Sequence, residues 1–339
     1  MFKEKHTEMI CICFFAASAK NDKMTGNRLL KSSIKQVFAG FLLFLQSYYA
    51  KARNGSFLTT LHFRSMSKKK VLIVTQEMQP YTALSEISEI ARKLPQHIQE
   101  NGMEIRILMP RFGTINERRH RLHEVVRLSG MNIIVDDDDY PLIIKVASIP
   151  EARMQVYFLD NEDFFKRKQI FTDEDDQPFA DNADRMVFFC KGVLETVKKF
   201  GWPPDIVHCH GWMTSLVPLY LKTAYKNEPL FAQSKVVYSV YQDSMGNQFD
   251  QGFLAKASIN NLKEEDLNAY DRDGAIRLHE GAMEYADGLI RGSEELDDDV
   301  DTALNKTDKP VMAHQADLEK FLPACMEFYN ALFPEEVSE

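Results

Sequence analysis

His208, His210 and Trp212 fall at every second position in the segment Asp205–Thr214. Imidazoles exchange protons near neutral pH, and an indole offers a flat apolar face with one polar tip. Such groups suit a sugar or a nucleotide. Asp205–His208 reads as the end of a buried strand, Gly211 and Trp212 as a turn, and Thr214–Leu221 as the start of a helix. On a strand, residues at i and i+2 share a face, so His208 and His210 point the same way and Cys209 the other. A Cys/His metal cluster is therefore not expected there. The five cysteines, Cys11, Cys13, Cys190, Cys209 and Cys325, are odd in number and irregular in spacing. They fit neither a disulfide framework nor a zinc site. No metal and no cofactor are expected, and reduced thiols fit a cytoplasmic setting.

These residues need a scaffold, and the pattern from Val71 onward supplies one. Val71–Thr75 is a continuous apolar run, as in a strand buried on both faces. Ser85–Gln99 carries Ile87, Ile90, Ala91, Leu94 and Ile98 at helical spacing, with Gly102 just past its end. Strands are predicted at Glu104–Met109, Met131–Val135, Leu142–Ser148, Gln155–Leu159, Ile206–His208, Lys235–Tyr241 and Gly288–Gly292. Helices are predicted at Asn182–Phe200, Ser215–Ala224, Ala275–Ala286 and Ala316–Leu332. This alternation implies an α/β fold, a single Rossmann-like doubly wound and mostly parallel sheet with helices on both faces. Ligands of such sheets bind beyond the carboxyl ends of the strands.

Several functions are excluded. The Gly-rich dinucleotide loop, the Walker loop and the Gly-x-Ser-x-Gly elbow are all absent. A net charge of −9 argues against a nucleic-acid partner. The acidic runs Asp136–Asp139, Asp173–Asp176 and Asp297–Asp299 read as solvated loops without calcium-loop spacing. Residues 1–65 are basic and lack amphipathic periodicity. Their apolar stretch Val37–Leu45 is too short to span a bilayer and too deep for a secretory leader. The domain is expected to begin at Met66, with residues 1–65 a disordered extension or start-site artefact.

The order of segments resembles the N-terminal half of bacterial glycogen and starch synthases, retaining glucosyltransferases that use ADP-glucose and have two Rossmann domains. The resemblance rests on Lys70–Pro80, Ile105–Gly113, Val156–Asn161, Phe164–Arg167, Asp181–Arg185, Trp202–Trp212 and Glu284–Ile290. It implies an N-terminal synthase-like Rossmann domain over 66–300. A linker with an amphipathic helix over 301–333 and an acidic tail over 334–339 would follow, with the C-terminal domain absent.

The departures fall on the chemistry the family carries. Where the resemblance puts a lysine, an aspartate and a histidine, this chain has Ala83, Gly211 and Tyr241. The two glycines of the family's phosphate-facing loop are Ser85 and Glu86. A carboxylate at that helix start suits the helix dipole but repels a diphosphate. No catalytic residue is assigned. His208 reads as a hydrogen-bonded core histidine, and His210 as closer to the cleft. Trp212 suits either stacking on a sugar or packing at the helix start. Tyr241 and Gln242 are candidate polar contacts to a sugar. Asp181, Asn182 and Arg185 either bind an acceptor glucan or cap and tether their helix.

The expectation is a degenerate synthase domain, not active alone, that binds α-glucan or a partner enzyme of glycogen metabolism. The alternative is a functional half of an ADP-glucose-dependent α-1,4-glucosyltransferase, completed by a separate C-terminal domain. No membrane association is expected.

Overall fold

In the computed structural model, β1 (Lys70–Thr75) lies at the centre of a ten-stranded sheet and is fully buried from Val71 to Val74. The structure describes residues 68–333 except 150, 151, 153, 244, 246, 247 and 261. The expectations for residues 1–65 and for the tail 334–339 lie outside the described residues.

After β1 come α1 (Ile87–Glu100), β2 (Glu104–Pro110), the single turn α2 (Glu117–His120), β3 (His123–Glu124), β4 (Met131–Val135), β5 (Asp138–Ile149) and β6 (Met154–Asp160). Next are α3 (Glu162–Phe165), α4 (Asn182–Phe200), β7 (Ile206–His210), α5 (Leu216–Lys222) and β8 (Lys235–Val240). The chain continues through α6 (Gly252–Ala257), α7 (Glu264–Leu267), β9 (Asp271–Arg272), β10 (Ala275–Ile276), α8 (Leu278–Tyr285) and β11 (Gly288–Arg291). It closes with α9 (Asp298–Lys306), β12 (Val311–Met312) and α10 (Leu318–Ala331).

The strand order is β12-β11-β8-β7-β1-β2-β6-β5-β3, with β4 paired to β5. Pairing is parallel from β12 to β6, and antiparallel where β5 meets β6, β4 and β3. The chain builds outward from β1 to β2 and β6, then returns to place β7 on the other side of β1. That reversal makes the carboxyl ends of β1 and β7 the natural crevice of the sheet. α4 packs Met186, Phe189, Cys190, Val193 and Val197 into the core, the stripe its sequence predicts.

Four local expectations are corrected. The helix predicted from Ala275 begins at Leu278, because Asp273 and Gly274 adopt positive φ and turn β9 back on β10. An Asp-Gly pair is the hairpin signal that helical periodicity masked. The strand predicted to end at His208 runs on to His210, and a short 3-10 turn at Trp212–Thr214 delays the next helix to Leu216. Of the acidic run Asp136–Asp139, only Asp136 and Asp137 form the turn, and Asp138 and Asp139 belong to β5. Asp298 and Asp299 are not loop but the first turn of α9, where carboxylates favour the helix dipole. The segment 301–333 thus contributes most of α9 and the parallel edge strand β12 besides the amphipathic α10.

Candidate functional site

The ends of β1, β7, β8 and β11 carry most of the residues that the sequence singles out. His208 and His210 do share a face, and their rings lie 3.9 Å apart between centroids. His208 holds Tyr329 Oη at 2.6 Å through Nδ1 and Ser239 Oγ at 2.7 Å through Nε2. His210 Nδ1 lies 2.9 Å from Tyr241 Oη, while its Nε2 is buried without a hydrogen-bond partner among the described residues. Burial drives His208 well below the usual imidazole range, with His210 adding to it, and takes His210 down to about 3. Both rings are therefore neutral at physiological pH. Burial likewise raises the Tyr241 hydroxyl, which stays protonated.

Gly211 follows with φ 87° and ψ 160°, a region essentially restricted to glycine. A Cβ there would lie 2.3 Å from Gln76 Oε1, which accepts a hydrogen bond from Met213 N at 3.2 Å. The Gln76 side chain fills the space beside Gly211 and fastens the end of β1 to the turn after β7. Trp212 is buried, with its ring edge-on to Phe171 and tilted on Phe249. Tyr241 is buried as well, and a Cβ on Gly292 would fall 2.4 Å from its ring. Only a glycine at 292 lets that phenol lie flat against the end of β11.

The start of α1 is tied from two sides. The Glu77 carboxylate, fully buried, accepts from Leu84 N at 2.5 Å, Ser85 N at 2.9 Å and Ser85 Oγ at 2.6 Å. Glu86 accepts from Ser293 Oγ at 2.5 Å, and that oxygen accepts from Gln242 N at 3.0 Å. Gln242 also donates to Asp297 at 2.8 Å. Ala83 and Leu84 stay exposed on this turn. Backbone N–H groups at a helix start attract anions. Here the Glu77 carboxylate takes that role for Leu84 N and Ser85 N.

The α4 cluster is likewise bonded inward, except that Arg185 Nη2 is buried with no hydrogen-bond partner among the described residues. Arg167 pairs with Asp181 at 2.5 Å, Asn182 Nδ2 donates to Phe171 O, and Arg185 donates to Phe164 O and Asn182 Oδ1. Arg185 is almost fully buried among Phe165, Phe112, Phe179 and Phe171. Burial pulls it down to about 10, against the raising charge of Asp181. The hydrogen bonds of Asp181, Asn182 and Arg185 join the start of α4 to Phe164, Arg167 and Phe171. Beside them a cavity of about 220 Å³ opens, lined by Phe179, Asn182, Gln248, Phe249, Asp250 and Lys256 among others. Phe249 is shared between this cavity and the face of Trp212.

Sequence reasoning missed Gln76, Glu77, Ser293 and His279. His279 bridges Tyr238 Oη at 2.9 Å and Asp243 Oδ2 at 2.6 Å. Burial lowers its affinity for a proton, but Asp243, with Glu280 and Asp297, outweighs that and holds it above the usual imidazole value. The available signal was position: Gln76 and Glu77 immediately follow the first strand. No group of three or more His, Cys, Asp or Glu that could hold a metal occurs among the described residues, and no described helix is long and apolar enough to cross a membrane.

Residues 70–308 match the model of the starch synthase catalytic domain. A glycogen synthase of Pelodictyon phaeoclathratiforme is 38% identical over 229 residues, 66% of this chain and 46% of that protein. A glycogen synthase of Chlorobium limicola is 40% identical over 235 residues, 68% and 47% respectively. The catalytic domain of starch synthase IV from Arabidopsis thaliana, bound to ADP and acarbose, superposes with a TM-score of 0.57 at 18% identity. That match covers 79% of this chain and 51% of the plant one, and it shows the fold. The chain spans about half the length of the curated relatives it matches. By the extent of the matched region and by these identities, the chain belongs to the starch synthase catalytic domain family.

Proposed function

We propose that this chain is a synthase-family domain that does not transfer glucose on its own and that binds α-glucan in glycogen metabolism, in the cytoplasm. The observation that carries the reading is the closure of the α1 start by Glu77 and Glu86. The resemblance places the donor diphosphate there. A diphosphate would have to displace one buried carboxylate and lie against another, with Ala83 offering no positive charge. Tyr241 on His210 and glycine at 211 remove the other two groups the family brings from this half. Loss of groups that act together removes most transition-state stabilisation.

Binding is a separate matter. The cavity beside Asn182 offers aromatic faces from Phe179 and Phe249. It also offers polar groups from Gln248 and Asp250, with Lys256 held at the rim by Asp184 at 2.6 Å. Apolar ring faces with a few convergent polar groups are what a glucose unit of a glucan requires. The plant relative, solved with acarbose bound, is of the same fold.

The test supplies the full chain with radiolabelled ADP-glucose and maltoheptaose, and measures maltoheptaose binding by calorimetry. Saturable maltoheptaose binding without label incorporation is the expected result. Incorporation by the chain alone overturns the reading. A second reading is a half-enzyme completed by a separate C-terminal synthase domain, in keeping with the match of residues 70–308 to the starch synthase catalytic domain. Incorporation that appears only after such a domain is added would establish it. An absence of both binding and incorporation would point to another glycogen enzyme as the partner.

A further inference from the structure

We propose that the opposite edge of the sheet holds a binding site for a small organic anion, whose carboxylate or phosphate meets the guanidinium of Arg106. Arg106 lies near the amino end of β2, in register with Leu72 of β1 and away from the strand ends described above. Its guanidinium packs over the rings of Phe200 at 4.1 Å and Trp202 at 4.9 Å. The two rings come from the end of α4 and the turn that follows it, so the guanidinium is fixed by the fold. Arginine usually spends its donors on carboxylates or carbonyls. Arg106 Nη1 is buried with no hydrogen-bond partner among the described residues.

The nearest carboxylate, Glu104, is taken up by Trp202, whose Nε1 donates to it at 3.1 Å. Arg127 adds a second positive charge in the neighbourhood, and burial lowers the proton affinity of Arg106. A cavity of about 520 Å³ opens beside this guanidinium, lined by Gln99, Ile105, Arg106, Ser148, Gln155 and Tyr157 among others. Tyr157 Oη donates to Gln155 Oε1 at 2.9 Å, which orients the amide at the rim. A stacked guanidinium with a buried, unpartnered donor, and the amide and hydroxyl groups that line the half-apolar cavity with it, select for a compact anion with an organic body. The carbonyls of His97, Ile98 and Gln99 at the end of α1 are taken by the N–H groups of Asn101, Met103 and Gly102, which leaves Arg106 as the charged group of the cavity lining. This site does not depend on the reading of the strand-end residues.

Calorimetry at matched ionic strength would titrate the full chain with inorganic phosphate, glucose 1-phosphate and citrate. Saturable binding in the range of about 10 mM or tighter is expected for at least one of them. Arg106→Met keeps the stacked bulk and removes the fork, and should weaken that binding by about tenfold or more. Arg127→Ala, on an exposed residue, should weaken it less. Glucose 1-phosphate or citrate binding alone through Arg106 would identify the anion as a phosphate ester or a carboxylate. Binding unchanged by Arg106→Met, or saturation by none of the three, overturns the proposal. If Arg106→Met does not fold, phenylglyoxal modification of the wild-type chain mapped by mass spectrometry decides. Protection of Arg106 by the bound anion supports the site, and unchanged labelling overturns it.

Discussion

The end of β7 and the mouth beside α4 lie on the same edge of the sheet, yet they are finished differently. At β7 nearly every polar group is taken by another part of the protein: His208 by Tyr329 and Ser239, His210 by Tyr241, and the turn after it by Gln76. At the α4 mouth, Asn182 is tied inward, Lys256 pairs with Asp184 at 2.6 Å and Asp250 accepts from Gly252 N at 2.8 Å, yet Lys256, Asp250 and Gln248 also line a cavity beside Phe179, Phe249 and Phe253. The difference is one of chemistry. A catalytic crevice needs polar groups held ready for a reactant, and the end of β7 has spent them on cohesion. A binding groove needs surface, and the α4 mouth retains it. On the proposed reading, this edge has lost transfer and kept recognition.

Breaking the closed region at its tightest point gives the largest expected effect. Gly211→Asp restores the residue that the family resemblance places there, but it puts a Cβ against Gln76 in a backbone conformation that favours only glycine. Strain and overpacking together should cost about 3 kcal/mol or more, read by urea denaturation. A Gly211→Asp protein with wild-type stability would mean the turn is soft. If it also gained glucose transfer with Ala83→Lys and Tyr241→His, the closed reading would fall.

The next effect isolates one contact. Gly292→Ala forces a methyl into the Tyr241 ring and should destabilise by about 2 kcal/mol. Tyr241→Ala removes the obstacle, so the double variant should recover much of the Gly292→Ala loss. A double-mutant cycle measures that coupling. Additive losses would show that the glycine serves something other than the phenol.

Some of this was legible in the sequence and some was not. The apolar run of β1, the stripe of α4 and the order of elements gave the fold, because burial patterns are local in sequence. The shared face of His208 and His210 followed from strand geometry alone. What neither pattern nor spacing could show was the partner of each polar group. Glu77 reaches the turn at Leu84 and Ser85, but Ser293 meets Glu86 from 207 positions away, and Tyr329 meets His208 from 121. His210, expected near the cleft, is fully buried, with the Tyr241 hydroxyl against its Nδ1. The hairpin at Asp273–Gly274 is a local signal, an Asp-Gly pair at positive φ within a stretch that also carries helical periodicity.

The two buried histidine environments should separate on a pH axis. His208 and His210 have proton affinities depressed below the ordinary 6.5, His210 to about 3. Between about 3 and 6.5 the unfolded chain binds protons that the folded one refuses, so stability is complete above 6.5 and falls as pH falls. Each such group contributes at most about 1.4 kcal/mol per pH unit. His279 has the opposite sign. Its affinity is raised by Asp243, so its contribution is present below 6.5 and is lost as pH rises through its folded value. Urea denaturation across pH should show a shallower acid decline in His210→Gln. The His279 imidazole signal should titrate above the ordinary 6.5. An unchanged acid decline in His210→Gln would show that the buried pair does not control the pH response.

The smallest effect tests the open region. Phe249 joins the cavity to the Trp212 face, and its truncation removes one apolar surface without touching the hydrogen bonds of β7. Phe249→Leu keeps apolar bulk against Trp212 and loses the flat ring. Losing one stacked ring should weaken maltoheptaose binding about fivefold, roughly 1 kcal/mol, with little change in melting temperature. Gln248→Ala, on the same rim, should weaken binding by a similar or smaller factor. If both variants bound glucan as the wild type does while Trp212→Phe did not, the recognition surface would lie over the end of β7. The contrast between a closed crevice and an open mouth would then have to be redrawn, because the residues spent on cohesion would be the ones that meet the sugar.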